Sequence, residues 1–186
     1  MTVTQSRIKK ISTIFRILFQ VLFVVIPVVH IFEWINVPES IDISWKFGFV
    51  INAIPKGTEI LHPLSTATKL YGFLLSGIPI IIIECIVYFL IKLFRLYEAA
   101  EIFTLKNIKY IKKIGYSLLI VQIINPICQG FLTALLTWGN PHGHRVASIT
   151  ISGTDLVLLL TAFIVILISW IMAEGCRLHE EQQLTI

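Results

Sequence analysis

Four long apolar stretches divide this chain, and they constrain its fold more than any other feature of the sequence. They cover residues 11–32, 70–94, 115–138 and 155–172. An α-helix needs roughly 20 apolar residues to cross the hydrocarbon core of a bilayer, and each stretch is close to or above that length. The third is the most continuous, since no charged residue occurs between Lys113 and Arg145. The pattern predicts four transmembrane helices in one membrane domain, residues 1–186.

The composition excludes most other classes of protein. Of the 186 residues, 56% are hydrophobic and only 14% are charged, whereas an ordinary soluble domain carries about a quarter charged residues. One small core cannot bury that much apolar surface, so a soluble enzyme and a disordered chain are both excluded. The net charge of +4 is too small to indicate direct binding of nucleic acid. The three cysteines form no pair that indicates a disulfide or a zinc site, and we expect no cofactor.

The distribution of basic residues predicts the orientation of the chain. They cluster before the first span and in the connection 95–114: Arg7, Lys9, Lys10, Arg95, Lys106, Lys109, Lys112 and Lys113. Because basic segments stay in the cytoplasm, we expect the connection 95–114 and both termini, with the tail 173–186, to be cytoplasmic. The connections 33–69 and 139–154 are then extracytoplasmic. Trp34, just after the first span, is expected in the aromatic belt at the outer interface.

Two segments of the outer connections have the composition of short strands. Residues 43–54 are rich in aromatic and β-branched side chains, and residues 145–152 alternate apolar and polar side chains; both are bounded by turn residues. Two isolated strands are marginal alone, so they would pair with each other or lie on the helices. The predicted fold is an all-α integral membrane protein, a four-transmembrane-helix bundle with a small β-containing extracytoplasmic cap.

The inner connection 95–114 is predicted to be a cytoplasmic helical hairpin that turns near residues 99–103. Thr104 has the position and chemistry of an N-cap for a helix that runs on into the third span. The basic residues of the hairpin (Arg95, Lys106, Lys109, Lys112, Lys113), with Glu180 and Glu181 in the tail, are candidates for partner or lipid contact. Anionic headgroups and a cytosolic regulatory protein are both open as the partner.

The spans also contain polar residues, which predict an intramembrane seam. Glu84 lies about midway along the second span, where an ionisable group is costly unless it is partnered. Gln122, Asn125 and Gln129 recur on one face of the third span, at about the depth of Glu84. Two interpretations are open: an interhelical hydrogen bond from Glu84 to Asn125 or Gln122, or a seam that lines a proton path or a ligand cavity.

Three histidines of the outer connections are weak candidates for a metal site. His142 and His144 form a His-Gly-His sequence, and His62 lies in the other outer connection. In extended backbone the first two rings would face the same side, which suits Zn²⁺ or Cu²⁺. No cysteine supports such a site and Gly143 favours a turn, so the sequence predicts no metal.

Two motifs carry a resemblance to a known family. The run 93–107, with Ile114-Gly115 beyond it, and the closing segment 174–186, a Gly-x-x-Leu followed by acidic residues and Leu-Thr-Ile, resemble a bacterial membrane family catalogued as domain of unknown function 2975. Residues 63–65 are also similar. The resemblance implies four membrane helices and a prokaryotic inner membrane. It also implies frequent encoding beside a small helix-turn-helix regulator, but it supplies no activity or site residues.

These features favour a non-enzymatic protein, since no nucleophile–base pair or closed metal set is present. The leading hypothesis is a membrane sensor or regulator that responds to a ligand and contacts a cytosolic regulatory protein. The alternative is a small transporter, channel or lipophilic-ligand carrier that uses the Glu84 seam. Four helices are few for a transporter, so a homo-oligomer is left open.

Overall fold

A computed structural model of the protein describes residues 3–36, 60, 63–101 and 104–184. These residues form four α-helices: α1 Val3–Ile35, α2 Thr66–Glu98, α3 Leu105–Leu136 and α4 Gly153–Leu184. By length and composition each can cross a membrane, over Ser6–Ile35, Thr66–Glu98, Leu105–Leu136 and Gly153–Leu178. The prediction of an all-α chain with four long apolar helices is confirmed. The segment predicted as a tail from residue 173 continues α4 as helix.

Each helix packs only against its neighbours in sequence: α1 on α2, α2 on α3, and α3 on α4. Within the described residues α1 and α4 do not contact each other, so an open row of helices replaces the bundle expected from the sequence. Adjacent helices are antiparallel. One end of the row, which we call the basic end, holds the starts of α1 and α3 and the ends of α2 and α4. The other, which we call the loop end, holds the ends of α1 and α3, the starts of α2 and α4, and the connection 137–152.

The α1–α2 interface contains two residues that the sequence places at the bilayer surface. Trp34 is buried, and its Nε1 donates a hydrogen bond of 3.0 Å to Ser76 Oγ. His30 is also buried; its ring stacks on Phe73 with centroids 4.8 Å apart, and its Nε2 lies 3.3 Å from the Phe73 carbonyl oxygen. The Trp34 indole is thus packed against α2, which offers it a buried hydrogen-bond acceptor, and its position in an aromatic belt stays a prediction.

The α3–α4 interface is narrow and built from small residues. Ala162, Ile166 and Ser169 are the buried residues among the described positions of α4, and they recur at helical spacing. Ile166 faces Gly115, where a Cβ atom would stand only 3.1 Å from the backbone nitrogen of Ile166. Small residues let transmembrane helices approach closely and gain van der Waals contact, which fixes the position of α4 on the row.

Hydrogen bonds at the end of α2 and at the start of α3 order the α2–α3 connection at the basic end. As predicted, Thr104 is the N-cap of α3, and its side chain accepts from the Asn107 backbone nitrogen. At the end of α2, Glu101 N–H donates to Leu96 O and Ala100 N–H donates to Tyr97 O, both at 3.0 Å. These two bonds form a Schellman motif, in which Ala100 adopts a left-handed conformation with φ of 62°.

The segment 145–152 is not the strand that its alternating pattern predicts. It lies along α3 without regular secondary structure. Val146 N–H donates to Thr137 Oγ1, and Ser148 N–H donates to Thr133 Oγ1, both at 3.0 Å. Residues two apart in extended backbone present their N–H groups to the same side. Here those N–H groups bond threonine hydroxyls of α3 rather than the backbone of a second strand. The β-containing cap is not found among the described residues, and the other predicted strand, 43–54, lies outside them.

Candidate functional site

A cavity of about 780 Å³ lies between α2 and α3 and extends to the start of α4. Most of its wall is aliphatic, from both helices and from Leu158 of α4. Its polar wall comes from α3, where three side-chain amides point towards the cavity: Gln122, Asn125 and Gln129. We call it the amide-walled cavity.

The three amides are those that the sequence places on one face of the third span. Their spacing of three and four residues brings them to one stripe of α3. Gln129 is buried, whereas Gln122 and Asn125 are half-buried. Each amide carries one acceptor and two donors, so Gln122 and Asn125 offer hydrogen bonds of both kinds within an apolar surround. Ser76 of α2 lines the cavity as well.

The loop end of the cavity is formed by residues that precede and begin α4. Thr150, Ser152, Thr154 and Asp155 line it there. Asp155 Oδ2 accepts from Ser152 N and from Ser152 Oγ, both at 2.7 Å, and the Ser152 hydroxyl accepts from Asp155 N at 3.4 Å. This is the reciprocal arrangement of a capping box. The Asp155 carboxylate therefore caps the start of α4 and is already hydrogen-bonded to Ser152.

Two features of α2 and α3 bear on how the cavity opens and closes. Pro79 lines the cavity from α2, and it cannot supply the helical hydrogen bond to the carbonyl of Leu75. Pro126 has the same effect in α3, at the carbonyl of Gln122. Both helices are thus locally weakened beside the cavity, which makes these positions natural points of bending.

The charged side chains of the described cavity lining limit the ligands that the cavity can bind. Among the described residues that line it there is no lysine or arginine, and the carboxylate there is that of Asp155, which caps α4. An anionic group would find no compensating cation among the described lining residues, and burial of an unpaired charge is costly. The arrangement therefore suits a ligand with a neutral polar head, able to exchange hydrogen bonds with amides, and an apolar body.

Glu84, the fourth member of the predicted seam, does not line the cavity. It follows Ile80 and precedes Val87 and Ile91 at helical spacing, and those three residues pack with Ile26 against α1. Both carboxylate oxygens are buried without a hydrogen-bond partner in the described part of the chain. The hydrogen bond from Glu84 to Asn125 or Gln122 is not formed, so the structure brings the three amides together and separates Glu84 from them.

Two of the three histidines considered as metal ligands are among the described residues. His142 and His144 are exposed in the turn before residue 145, and His62 lies outside the described residues. Across the described ranges no group of three or more His, Cys, Asp or Glu side chains is arranged to hold a metal ion.

The basic residues of the predicted hairpin lie where the sequence places them. Arg95 ends α2, and four exposed lysines follow one another through the first turns of α3: Lys106, Lys109, Lys112 and Lys113. Glu181 is exposed and lies 3.5 Å from Arg177. The Glu180 side chain is outside the described residues.

Sequence reasoning missed several residues of the site. Ser76 contributes a buried hydroxyl that resembles any helical serine in sequence. Four residues between 150 and 155 also line the cavity. Part of this segment can be predicted, since Ser152-x-x-Asp155 before an apolar run is a capping-box pattern that marks the start of a helix. Its position beside the cavity follows only from the path of 145–152 along α3.

Comparison with known proteins gives one match. A family model described as "Protein of unknown function (DUF2975)" matches residues 28–186, a range that includes every residue of the cavity wall. Comparison with curated proteins and with solved structures found no match. The resemblance indicated by the run 93–107 and the closing segment is confirmed.

Proposed function

We propose that this chain, which belongs to the DUF2975 family of proteins of unknown function, is a non-enzymatic membrane receptor for a neutral amphiphilic molecule. The observation that carries the proposal is the amide-walled cavity of about 780 Å³. Ligand sites commonly measure about 300–1,000 Å³ and combine apolar walls with a few polar groups. Gln122, Asn125 and Gln129 are those groups here.

A binding role is favoured over catalysis by the chemistry of the wall. Cys128 and Ser76 are the nucleophile-bearing residue types nearest the amides, and no histidine or lysine stands among the described lining residues to activate them. The one carboxylate, Asp155, is engaged in capping α4. Amides orient a ligand through hydrogen bonds but do not transfer protons readily, so the ligand would leave unchanged.

A signalling output is the natural use of such a site in this fold. Both helices that line the cavity continue to the basic end, which we propose to be cytoplasmic on the basis of its lysines and arginines. Bending at Pro79 or Pro126 would move the α2–α3 connection. Arg95, Lys106 and Lys109 would then present a different surface to a cytosolic regulatory protein.

Binding of charged and neutral probes tests the proposal. We expect 1-dodecanol to raise the melting temperature of the detergent-purified protein, and dodecanoate and dodecyltrimethylammonium to raise it much less. Replacing Gln122 and Asn125 together by leucine should abolish the dodecanol effect. Gln20→Leu is the matched control, since Gln20 is an exposed amide on α1 outside the cavity. Equal stabilisation by all three probes, or by dodecanol in the double variant, would overturn the proposal.

A transporter or channel that uses Glu84 is the competing role. Between the cavity and the basic end, α2 and α3 pack through a buried apolar cluster of Ile86, Leu93 and Ile114, and Glu84 is not among the described lining residues of the cavity. Both observations favour binding over passage. Proton flux into proteoliposomes should therefore be no greater with the wild-type protein than with Glu84→Gln, and a flux that needs Glu84 would favour transport instead.

A further inference from the structure

Two lysines from different helices fold over one pair of aromatic rings near the basic end. Lys92 Nζ of α2 lies 5.3 Å from the ring centroid of Tyr88, and Lys113 Nζ of α3 lies 5.1 Å from that of Phe89. The Tyr88 and Phe89 rings are themselves 5.8 Å apart. Tyr110 of α3 completes the cluster, 6.3 Å from Phe89. We call these five residues the lysine–aromatic cluster.

Neither ammonium group of the cluster forms an ion pair with a carboxylate of the described residues. Arg16 pairs with Glu98, and Arg177 with Glu174 and Glu181, so these carboxylates are engaged by arginines. No carboxylate of the described residues lies within 4.0 Å of Lys92 or Lys113. The rings attract the ammonium groups through their π faces but do not cancel the charge. Two positive charges, one from each helix, therefore lie over neighbouring rings beside the α2–α3 interface.

The length of α2 indicates the depth of the cluster in a bilayer. α2 contains 33 residues, so it is about 50 Å long, roughly 20 Å more than the hydrocarbon core of a bilayer. About 10 Å of helix therefore projects at each end. Lys92 is six residues from the end of α2 and Lys113 eight residues after the start of α3, which places them about 9 and 12 Å from those ends. With α2 centred on the bilayer and perpendicular to it, both would lie where the hydrocarbon core meets the phosphate layer.

Exposed aromatic rings mark the same level. Tyr88 and Tyr116 are exposed beside the cluster, and Trp170 of α4 is 57% exposed at a similar distance from the basic end. Tyrosine and tryptophan concentrate at the headgroup level, where one side of the ring is apolar and the other is hydrated. The acyl chains of a lipid beside this interface would pack on the Phe89 ring and the apolar stems of the lysines.

From this arrangement we infer a specific site for the phosphate of an anionic phospholipid, held by Lys92 and Lys113 beside the α2–α3 interface. Basic pockets between transmembrane helices are a recognised form of headgroup site. The site is independent of the amide-walled cavity and of the ligand proposed for it. It would fasten α2 to α3 at the basic end, because one phosphate contacts a lysine of each helix.

Native mass spectrometry of the detergent-purified protein tests the inference. The probes are phosphatidylglycerol, cardiolipin and phosphatidylcholine, with glycerol 3-phosphate as a soluble source of the same phosphate chemistry. We expect retention of one phosphatidylglycerol or cardiolipin molecule, and about tenfold weaker retention in either Lys92→Gln or Lys113→Gln. Lys113→Arg should retain the lipid, since it keeps the charge. Lys106→Gln is the matched control, because Lys106 is an exposed lysine of the same helix and the lysines over Tyr88 and Phe89 are Lys92 and Lys113.

Three results would overturn the inference. An equal loss in Lys106→Gln would show general surface attraction rather than a site. Retention of phosphatidylcholine equal to that of phosphatidylglycerol would show that the site does not recognise the net negative charge of the headgroup. Binding of glycerol 3-phosphate as strong as that of phosphatidylglycerol would assign the lysines to a soluble phosphate. Melting temperatures measured without added lipid should be similar for all the glutamine variants, which separates loss of the lipid from loss of the fold.

Discussion

The indole ring of Trp34 lies against the Cα atom of Gly72, and a Cβ atom at Gly72 would stand 2.7 Å from Cζ3 of the ring. Trp34 is also hydrogen-bonded to Ser76, one turn further along α2. The ring is therefore held from two sides, and it joins α1 to α2 near the loop end. The contact depends on the missing side chain of glycine.

Gly72→Ala should destabilise the protein, because the new methyl group collides with a ring that has no free space to enter. Overpacking of this kind costs about 1–3 kcal/mol. Gly77→Ala is the matched control on the same helix, since its Cβ would meet nothing closer than 3.8 Å. Alanine favours a helix by about 1 kcal/mol over glycine, so the control should melt at the same or a higher temperature. A Gly72→Ala protein that melts like the control would contradict the packing.

Thr133→Val and Thr137→Val should release the segment 145–152 from α3. Each change preserves shape but removes the hydroxyl that bonds Ser148 or Val146. A lost hydrogen bond is worth about 1 kcal/mol. Exchange of the Ser148 amide should therefore accelerate roughly fivefold in Thr133→Val, and that of Val146 by a similar factor in Thr137→Val. Thr161→Val, which removes a bond within α4 only, should leave both amides unchanged; unchanged exchange in all three variants would contradict the threonine bonds.

The ion pair between Arg16 and Glu98 should couple α1 to the end of α2. Arg16 Nε lies 2.9 Å from Glu98 Oε1, and the two side chains are 30% and 16% exposed. A double-mutant cycle with Arg16→Gln and Glu98→Gln should give a coupling free energy of about 1–2 kcal/mol. The same cycle on Arg177 and Glu174, which are mostly exposed, should give less than about 0.5 kcal/mol. Equal coupling energies would show that burial does not strengthen the first pair.

Ala100→Gly should stabilise the α2–α3 connection. Ala100 adopts a φ of 62°, a left-handed conformation that costs an L-residue about 1–2 kcal/mol and that glycine enters readily. Part of that gain is offset by the greater freedom of glycine in the unfolded chain, so we expect a net increase of up to about 1 kcal/mol in the free energy of unfolding. Ala99→Gly, at a φ of −79°, offers no such relief and should be neutral or destabilising. A lower melting temperature for Ala100→Gly would contradict the left-handed conformation.

The features that the sequence predicts well are those that depend on neighbours along the chain. The spans follow from uninterrupted apolar residues, and the Thr104 cap follows from its position before a helical pattern. The stripe of Gln122, Asn125 and Gln129 follows from helical spacing. Each is decided within a few turns of one helix.

The features that the sequence predicts poorly depend on how one helix is rotated against another. Counting residues places Glu84 and Asn125 at one depth, but it does not reveal that the amides line the cavity whereas Glu84 is not among its described lining residues. The segment 145–152 has the alternation of a strand, and its partners are threonine side chains of α3. The burial of Trp34 requires a glycine 38 positions away, which no local pattern indicates.

Photo-crosslinking in native membranes tests the central claim most directly. A long-chain alcohol with a diazirine on its alkyl chain is activated by light, and the labelled peptides are mapped by mass spectrometry. We expect the label on the cavity-lining residues of α2 and α3 around Ile83 and Val121, with competition by excess 1-dodecanol and loss in the Gln122→Leu, Asn125→Leu double variant. Labelling spread over the exposed faces of α1 and α4 in proportion to their area, without competition, would contradict a ligand site in the amide-walled cavity.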